Sequence, residues 1–160
     1  MLPRIVMLGP KRLAGNALKM SFAGDRTIEL FKGFMPRRNE IGSRVSRDIF
    51  CVSIYDEKTD PSNFNPASIF EKWAAVEVEN FDDIPEEMDR LELPGGLYAL
   101  FDHKGGPAAA PRTFGFIFGT WLPGCDYSVD KRPHFEILGE KYGDGGADSE
   151  EEIWLPIKPK

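Results

Sequence analysis

The chain is 160 residues long with a formal net charge of −6, enough for one domain with a sizeable core and little left for a second. An acidic balance argues against a general nucleic-acid or anionic-membrane surface, since both need a basic face; only Arg37, Arg38, Arg44 and Arg47 offer a local basic patch. The apolar run at residues 5–8 is far shorter than a signal-peptide core, no segment is long enough to span a bilayer, and the two cysteines, Cys51 and Cys125, lie far apart in no metal-ligand spacing. These features lead us to expect a cytoplasmic protein with reduced thiols, no metal, no cofactor and no direct contact with nucleic acid or membrane.

In chain order, the strongest architectural signal is a duplication. Residues 15–24, bounded by Gly15 and Gly24, are echoed by residues 96–105, bounded by Gly96 and Gly105, with apolar residues between. Each is followed by an Arg-Thr pair, an aromatic helix candidate and a proline, at residues 26–36 and again at 112–123 with one residue inserted. In the first helix Asp25 is the expected N-cap, and Ile28, Phe31 and Met35 fall at i, i+3, i+7, widened by Leu30 and Phe34. In the second, Phe114, Ile117, Phe118 and Trp121 carry the stripe, Pro111 suits the first turn, and Pro123-Gly124 closes it.

Two strands should follow each helix. Residues 48–55 alternate Phe50, Val52 and Ile54 with Cys51, Ser53 and Tyr55; residues 73–79 alternate Ala74, Val76 and Val78 with Trp73, Ala75 and Glu77. Residues 56–66 are turn-rich and 82–92 form an acidic, solvated connector. The second copy supplies a strand over 91–103, its helix, strands over 133–138 and 152–158, and an acidic, glycine-rich loop at 139–151. His103, at the end of a strand, is expected in an exposed loop.

The fold expected is therefore α+β: a single domain over 1–160, with tandem strand-helix-strand-strand repeats over about residues 3–80 and 89–158. A pseudo-twofold places both helices on one side of an antiparallel sheet and a concave groove on the other. Within residues 132–138, Phe135 and Ile137 share the core face, so His134 and Glu136 project across the sheet. A dehydrated carboxylate there needs a cationic partner, and a ligand could supply it. Glu136 heads the candidate ligand-binding residues, followed by Trp73, His134, Tyr98, Tyr55, Glu77 and Trp154.

Five segments together carry a resemblance: Phe70-Glu-Lys-Trp-Ala-Ala-Val-Glu-Val, residues 93–105, Trp121-Leu-Pro, Asp130-Lys-Arg-Pro-His-Phe-Glu and residues 151–158. Over nearly the whole chain they resemble the GyrI-like domain, the effector-binding module of AraC-type and some MerR-type regulators that also occurs alone. The resemblance implies a tandem strand-helix-strand-strand fold whose groove takes amphipathic, often aromatic or cationic small molecules, as in multidrug binding. Its acidic groove residue falls on Glu136 and a groove tryptophan on Trp73. It also implies a sensor or sequestering module without a DNA reader of its own.

Three functions follow. The first is a binding module for a cationic aromatic small molecule. The second is a hydrolase of electrophilic cyclopropane-type aromatic compounds, as in some stand-alone members, with Glu136 positioning and deprotonating a water. The third is a gyrase-inhibitor-like modulator whose protein partner is a transcription regulator or a topoisomerase. Neither a nucleophile elbow nor a phosphate-binding loop occurs in the sequence.

Overall fold

A computed structural model describes residues 1–56 and 64–160; most of the turn-rich stretch expected at 56–66 lies outside the described residues. Among the described residues nine strands form in chain order: β1 (Arg4–Leu8), β2 (Lys11–Ser21), β3 (Ile49–Tyr55), β4 (Ile69–Val78), β5 (Asp89–Leu93), β6 (Gly96–Lys104), β7 (Tyr127–Val129), β8 (His134–Leu138) and β9 (Glu150–Pro159). Helix α1 (Thr27–Phe34) continues as a 3-10 turn over Met35–Glu40, and α2 (Gly106–Phe116) continues as a π-turn over Ile117–Trp121.

Every strand pairing is antiparallel, in the order β1-β6-β9-β8-β3-β4-β2-β5, with β7 paired to β9. Read outward from the central β8–β3 pair, β9, β6 and β1 on one side answer β4, β2 and β5 on the other. Strand, helix, strand, strand thus occurs twice, as β2-α1-β3-β4 and β6-α2-β8-β9. The registers repeat as well: Trp73 lies between Ala17 and Val52, and Trp154 between Leu100 and Phe135. At Gly15, where β2 pairs on both edges, an added Cβ would collide with the Ala74 carbonyl, so only glycine fits.

The sheet has two different faces. On one, α1 sets Leu30 and Phe34 onto Ala74, Val76 and Val78, while Ile117 of the π-turn packs on Phe101, Ile153 and Leu155. The opposite face carries no helix among the described residues. Phe50, Trp73, Tyr98, Phe135 and Trp154 fill it instead, with Phe135 and Trp154 stacked at 5.3 Å and 12°. The two tryptophans are held alike, each indole N–H donating to the glutamate two residues earlier: Trp73 to Glu71 at 2.7 Å and Trp154 to Glu152 at 3.2 Å.

Local differences from the sequence reading have physical causes. Edge strands β1 and β5 are five residues each; the sequence reading names no strand at β1, and the polar residues Asp89, Arg90 and Glu92 put most of β5 in the acidic connector; the proposed single strand over 91–103 is broken at Pro94-Gly95 into β5 and β6. Helix α2 starts at Gly106, which places Pro111 inside it rather than in its first turn. Asp25 does accept the Thr27 N–H at 2.7 Å, but from one position outside Arg26, the N-cap. Ile28 is 74% exposed and belongs to no core stripe. No helix among the described residues is long and apolar enough to cross a membrane.

Phe135, 2% exposed and in ring contact with Phe50, Tyr98 and Trp154, is the centre of the aromatic layer. Phe135→Ala is expected to cost about 3–5 kcal/mol in urea unfolding. Ile28→Ala, on exposed helix surface, should stay within about 0.5 kcal/mol in the same measurement.

Candidate functional site

Helices α1 and α2 each cover one half of the sheet, and between them the central strands lie open beneath a cavity of about 1430 Å³. Its floor is built from Ile49 and Cys51 of β3, Glu136 and Leu138 of β8, and Glu151 and Ile153 of β9. Ile28 and Phe31 line one wall, Pro107, Ala110 and Phe114 the other, and Tyr142 closes one end. The cavity therefore lies on the helix side of the sheet, not on the face away from the helices where a groove was expected. That face cannot open, because the protein's own rings occupy it.

Of the seven expected binding residues, the cavity is lined by one, Glu136. Phe135 and Ile137 point into the aromatic layer, and Glu136 points the other way. Tyr55 and His134 share its face but turn to one edge, where the two rings meet at 4.9 Å beside Phe64 and Phe70. Burial lowers the His134 pKa to about 4, so its ring is neutral at physiological pH. Trp73, Tyr98, Trp154 and Glu77 lie on the opposite face. Tyr98 donates its hydroxyl hydrogen to the Pro133 carbonyl at 2.9 Å under the Arg132 guanidinium, and Glu77 accepts from Lys11 at 3.2 Å.

The cavity also gathers residues the sequence reading passed over. Glu151, placed in a loop by its glycine-rich neighbours, is the second residue of β9 and sits close enough to Glu136 for their carboxyls to hydrogen-bond. Its side chain is 8% exposed, and Oε2 is buried without a partner among the described residues. The signal for it was present: Glu151 has the parity of Ile153, Leu155 and Ile157, so extending the alternation by one step puts it on the covered face.

His103 is the second correction, being 1% exposed rather than in an open loop. Gly105 and Gly106 take left-handed φ values of 108° and 64°, turning the chain so that the Gly106 carbonyl accepts from His103 Nε2 at 2.7 Å. Nδ1 meets the Thr113 hydroxyl at 2.7 Å, which ties α2 to β6 at the cavity floor. Lys72 of β4 donates to Thr27 Oγ1 at 3.0 Å and does the same for α1.

Electrostatically the floor is a crowded pair of acids. Burial, the charge of Glu136 and the hydrogen bond between the two raise the Glu151 pKa to about 8, against a smaller opposing pull from Lys72. Glu151 therefore holds a proton at neutral pH. Burial also pushes the Cys51 thiol up to about 12, so it is inert beside them, and the Tyr142 hydroxyl is raised by burial and by the same two acids. Both cysteines are free, and among the described residues no three His, Cys, Asp or Glu side chains converge on a metal site.

A group whose folded pKa lies above its unfolded value contributes stability that is complete below the unfolded pKa and lost as pH rises through the folded one. For Glu151 that window runs from its ordinary 4.5 to about 8. Thermal melts should therefore show the wild type losing stability across this range relative to Glu151→Gln, which cannot ionise. Parallel pH profiles for the two would contradict the placement of Glu151.

The comparisons with known proteins agree with this architecture. The model of the GyrI-like small molecule binding domain matches residues 1–158. Transcriptional regulator BrlR of Pseudomonas aeruginosa is 25% identical over 141 residues, covering 86% of this chain and 48% of BrlR, so the chain spans about half the length of that regulator. The structure of SAV2435 bound to tetraphenylphosphonium superposes with a TM-score of 0.71 at 19% identity, over 99% of this chain and 94% of that one. EcmrR in its DNA complex gives a TM-score of 0.72 at 13% identity, over 99% of this chain and 57% of that one. At these identities the two structures speak for the fold.

Proposed function

The chain belongs to the GyrI-like family of small-molecule-binding domains, and on that premise we propose that it binds an amphipathic, cationic aromatic compound in the cavity between α1 and α2. It would act in the cytoplasm as a sensor or sequestering module. The observation that carries this reading is the placement of Glu136, a carboxylate at the floor of an open cavity with its acidic neighbour Glu151 protonated beside it.

The chemistry fits a cation. An aromatic guest would lie against Phe31 of α1 and Phe114 of α2, both of which line the cavity, and would remove their apolar surface from water. Its charge would pair with the Glu136 carboxylate, beside which Glu151 stays neutral. Oε2 of Glu151, buried and unpartnered among the described residues, would gain a partner from any N–H the guest carries. The tetraphenylphosphonium held by SAV2435 is a compound of this class, a monocation wrapped in phenyl rings.

Titration with tetraphenylphosphonium tests the proposal. A unit charge held about 8 Å from the Glu136 carboxylate at an effective dielectric of about 20 gains about 2 kcal/mol. Glu136→Gln should therefore weaken binding roughly thirtyfold at neutral pH. Glu151→Gln should change little there, because Glu151 is already neutral. Wild-type affinity should then climb as pH passes about 8, while the Glu151→Gln variant stays level. The titratable groups facing Glu151 are Glu136, His103, Cys51, Lys72 and Tyr142, of which burial pushes the Cys51 thiol up to about 12 and raises the Tyr142 hydroxyl. Unchanged binding by Glu136→Gln would refute the ion pair.

A further inference from the structure

We infer that the ligand carries an anionic group as well as its positive charge, and that Arg38, Arg44 and Arg47 receive the anion at one end of the cavity. This rests on the binding reading above and narrows its ligand class, from any cationic aromatic to an amphoteric one bearing a carboxylate, sulfonate or phosphate.

The cavity's cations are unevenly placed, although the α1 half also contributes the acids Asp25 and Glu29. Among the described residues its five Lys and Arg side chains, Arg26, Arg38, Arg44, Arg47 and Lys72, come from the half of the chain that contains α1, while the half with α2 supplies Glu136 and Glu151 and no cation. Two of the five cations are already answered. Arg26 pairs with Glu29 at 2.7 Å, and Lys72 is bonded to the Thr27 hydroxyl, which itself donates to Asp25.

The other three have no carboxylate within ion-pair distance among the described residues. Arg38 donates to the Met35 carbonyl and Arg44 to the Asn39 side-chain carbonyl at 3.2 Å, both neutral acceptors. Their neighbour Arg37, which does not line the cavity, shows the contrast: it pairs with Glu40 at 2.8 Å and with Glu87 at 3.4 Å. In a chain with 26 acidic and 20 basic residues, three guanidiniums left unpaired on one lip set a local field opposite to that of the protein as a whole. Their planar forks suit oxyanions, which they can hold with two parallel hydrogen bonds.

The spacing suits a single small molecule. Arg47 leads into β3, where Ile49 pairs with Leu138 and Cys51 pairs with Glu136. Four residues of extended chain separate Arg47 from Cys51, the partner of Glu136, and place the acidic floor roughly 13 Å from the arginine backbone, an interval that the reach of the arginine and glutamate side chains shortens. A fused or linked ring system spans that interval, with its cationic nitrogen over Glu136 and its acid group at the arginines.

Rhodamine B, which carries a free carboxylate, and its ethyl ester, which does not, form a matched pair on one cationic ring system. Measured by fluorescence anisotropy on the full chain at neutral pH and low salt, rhodamine B should bind about five- to tenfold tighter than the ester, the scale of a few part-exposed ion pairs acting together. The triple variant Arg38→Gln, Arg44→Gln, Arg47→Gln should abolish the preference while binding the ester at least as well as wild type, which also reports that it is folded. The double variant Arg44→Gln, Arg47→Gln leaves the Arg38 bond to Met35 in place and should lose most of the preference too. Equal or weaker binding of rhodamine B by wild type, or a preference that survives either variant, overturns the anion subsite and leaves the cation reading standing. If neither dye binds, both fall together.

Discussion

Two carboxyl groups side by side beneath a cavity cannot both ionise without repelling each other, and the site is arranged around that repulsion. Glu136 and Glu151 arrive from adjacent strands at the centre of the sheet, where the two halves of the chain meet. Burial keeps water from screening them, so Glu151 retains a proton up to about pH 8. The free protein thus keeps one acid of the pair uncharged, and in the proposed reading a bound cation would favour its ionisation. In this account affinity at neutral pH comes from the Glu136 charge, with Glu151 adding its own only as pH passes about 8.

Holding that arrangement requires a rigid support, and the opposite face of the sheet provides it. Neighbouring residues of β8 divide the work: Phe135 is buried in stacked rings, and Glu136 stands one residue on, facing the other way. Trp73 and Trp154 flank the central strands from equivalent positions, each tied to a glutamate two residues earlier. A face packed in this way leaves little freedom in the strands that carry the acids. The helices, by contrast, pack on the sheet over their own halves, and the gap between them is where the proposed guest would enter.

Much of the fold was legible in the sequence, because β2-α1-β3-β4 and β6-α2-β8-β9 repeat both their order and their local signals. The parity of β8 was legible too, since His134, Glu136 and the apolar pair Phe135 and Ile137 alternate cleanly. The side on which the cavity opens was not. In β4, Trp73, Ala74, Ala75, Val76 and Val78 are apolar on both faces, because both faces are covered, and alternation then fails to say which faces what. Glu77 lent the Trp73 face a polar look, yet it lies at the strand's end and is matched by Lys11. The repeated Glu-x-Trp at Glu71-Trp73 and Glu152-Trp154 was the available clue that both rings serve one structural role. Glu151 was hidden by its glycine-rich surroundings, and the unpaired arginines by the fact that pairing is a property of three-dimensional neighbours.

The central claim is that a strained acid pair, Glu136 with Glu151, is the seat of cation binding. Carbon-13 NMR of the glutamate side-chain carboxyls tests it most directly, by following the titration of Glu151 with and without saturating tetraphenylphosphonium. The account predicts a free-protein midpoint near 8, well above the ordinary 4.5, that falls when the cation is bound. A Glu151 resonance that titrates in the ordinary carboxylate range, or one that the cation leaves unmoved, would contradict it.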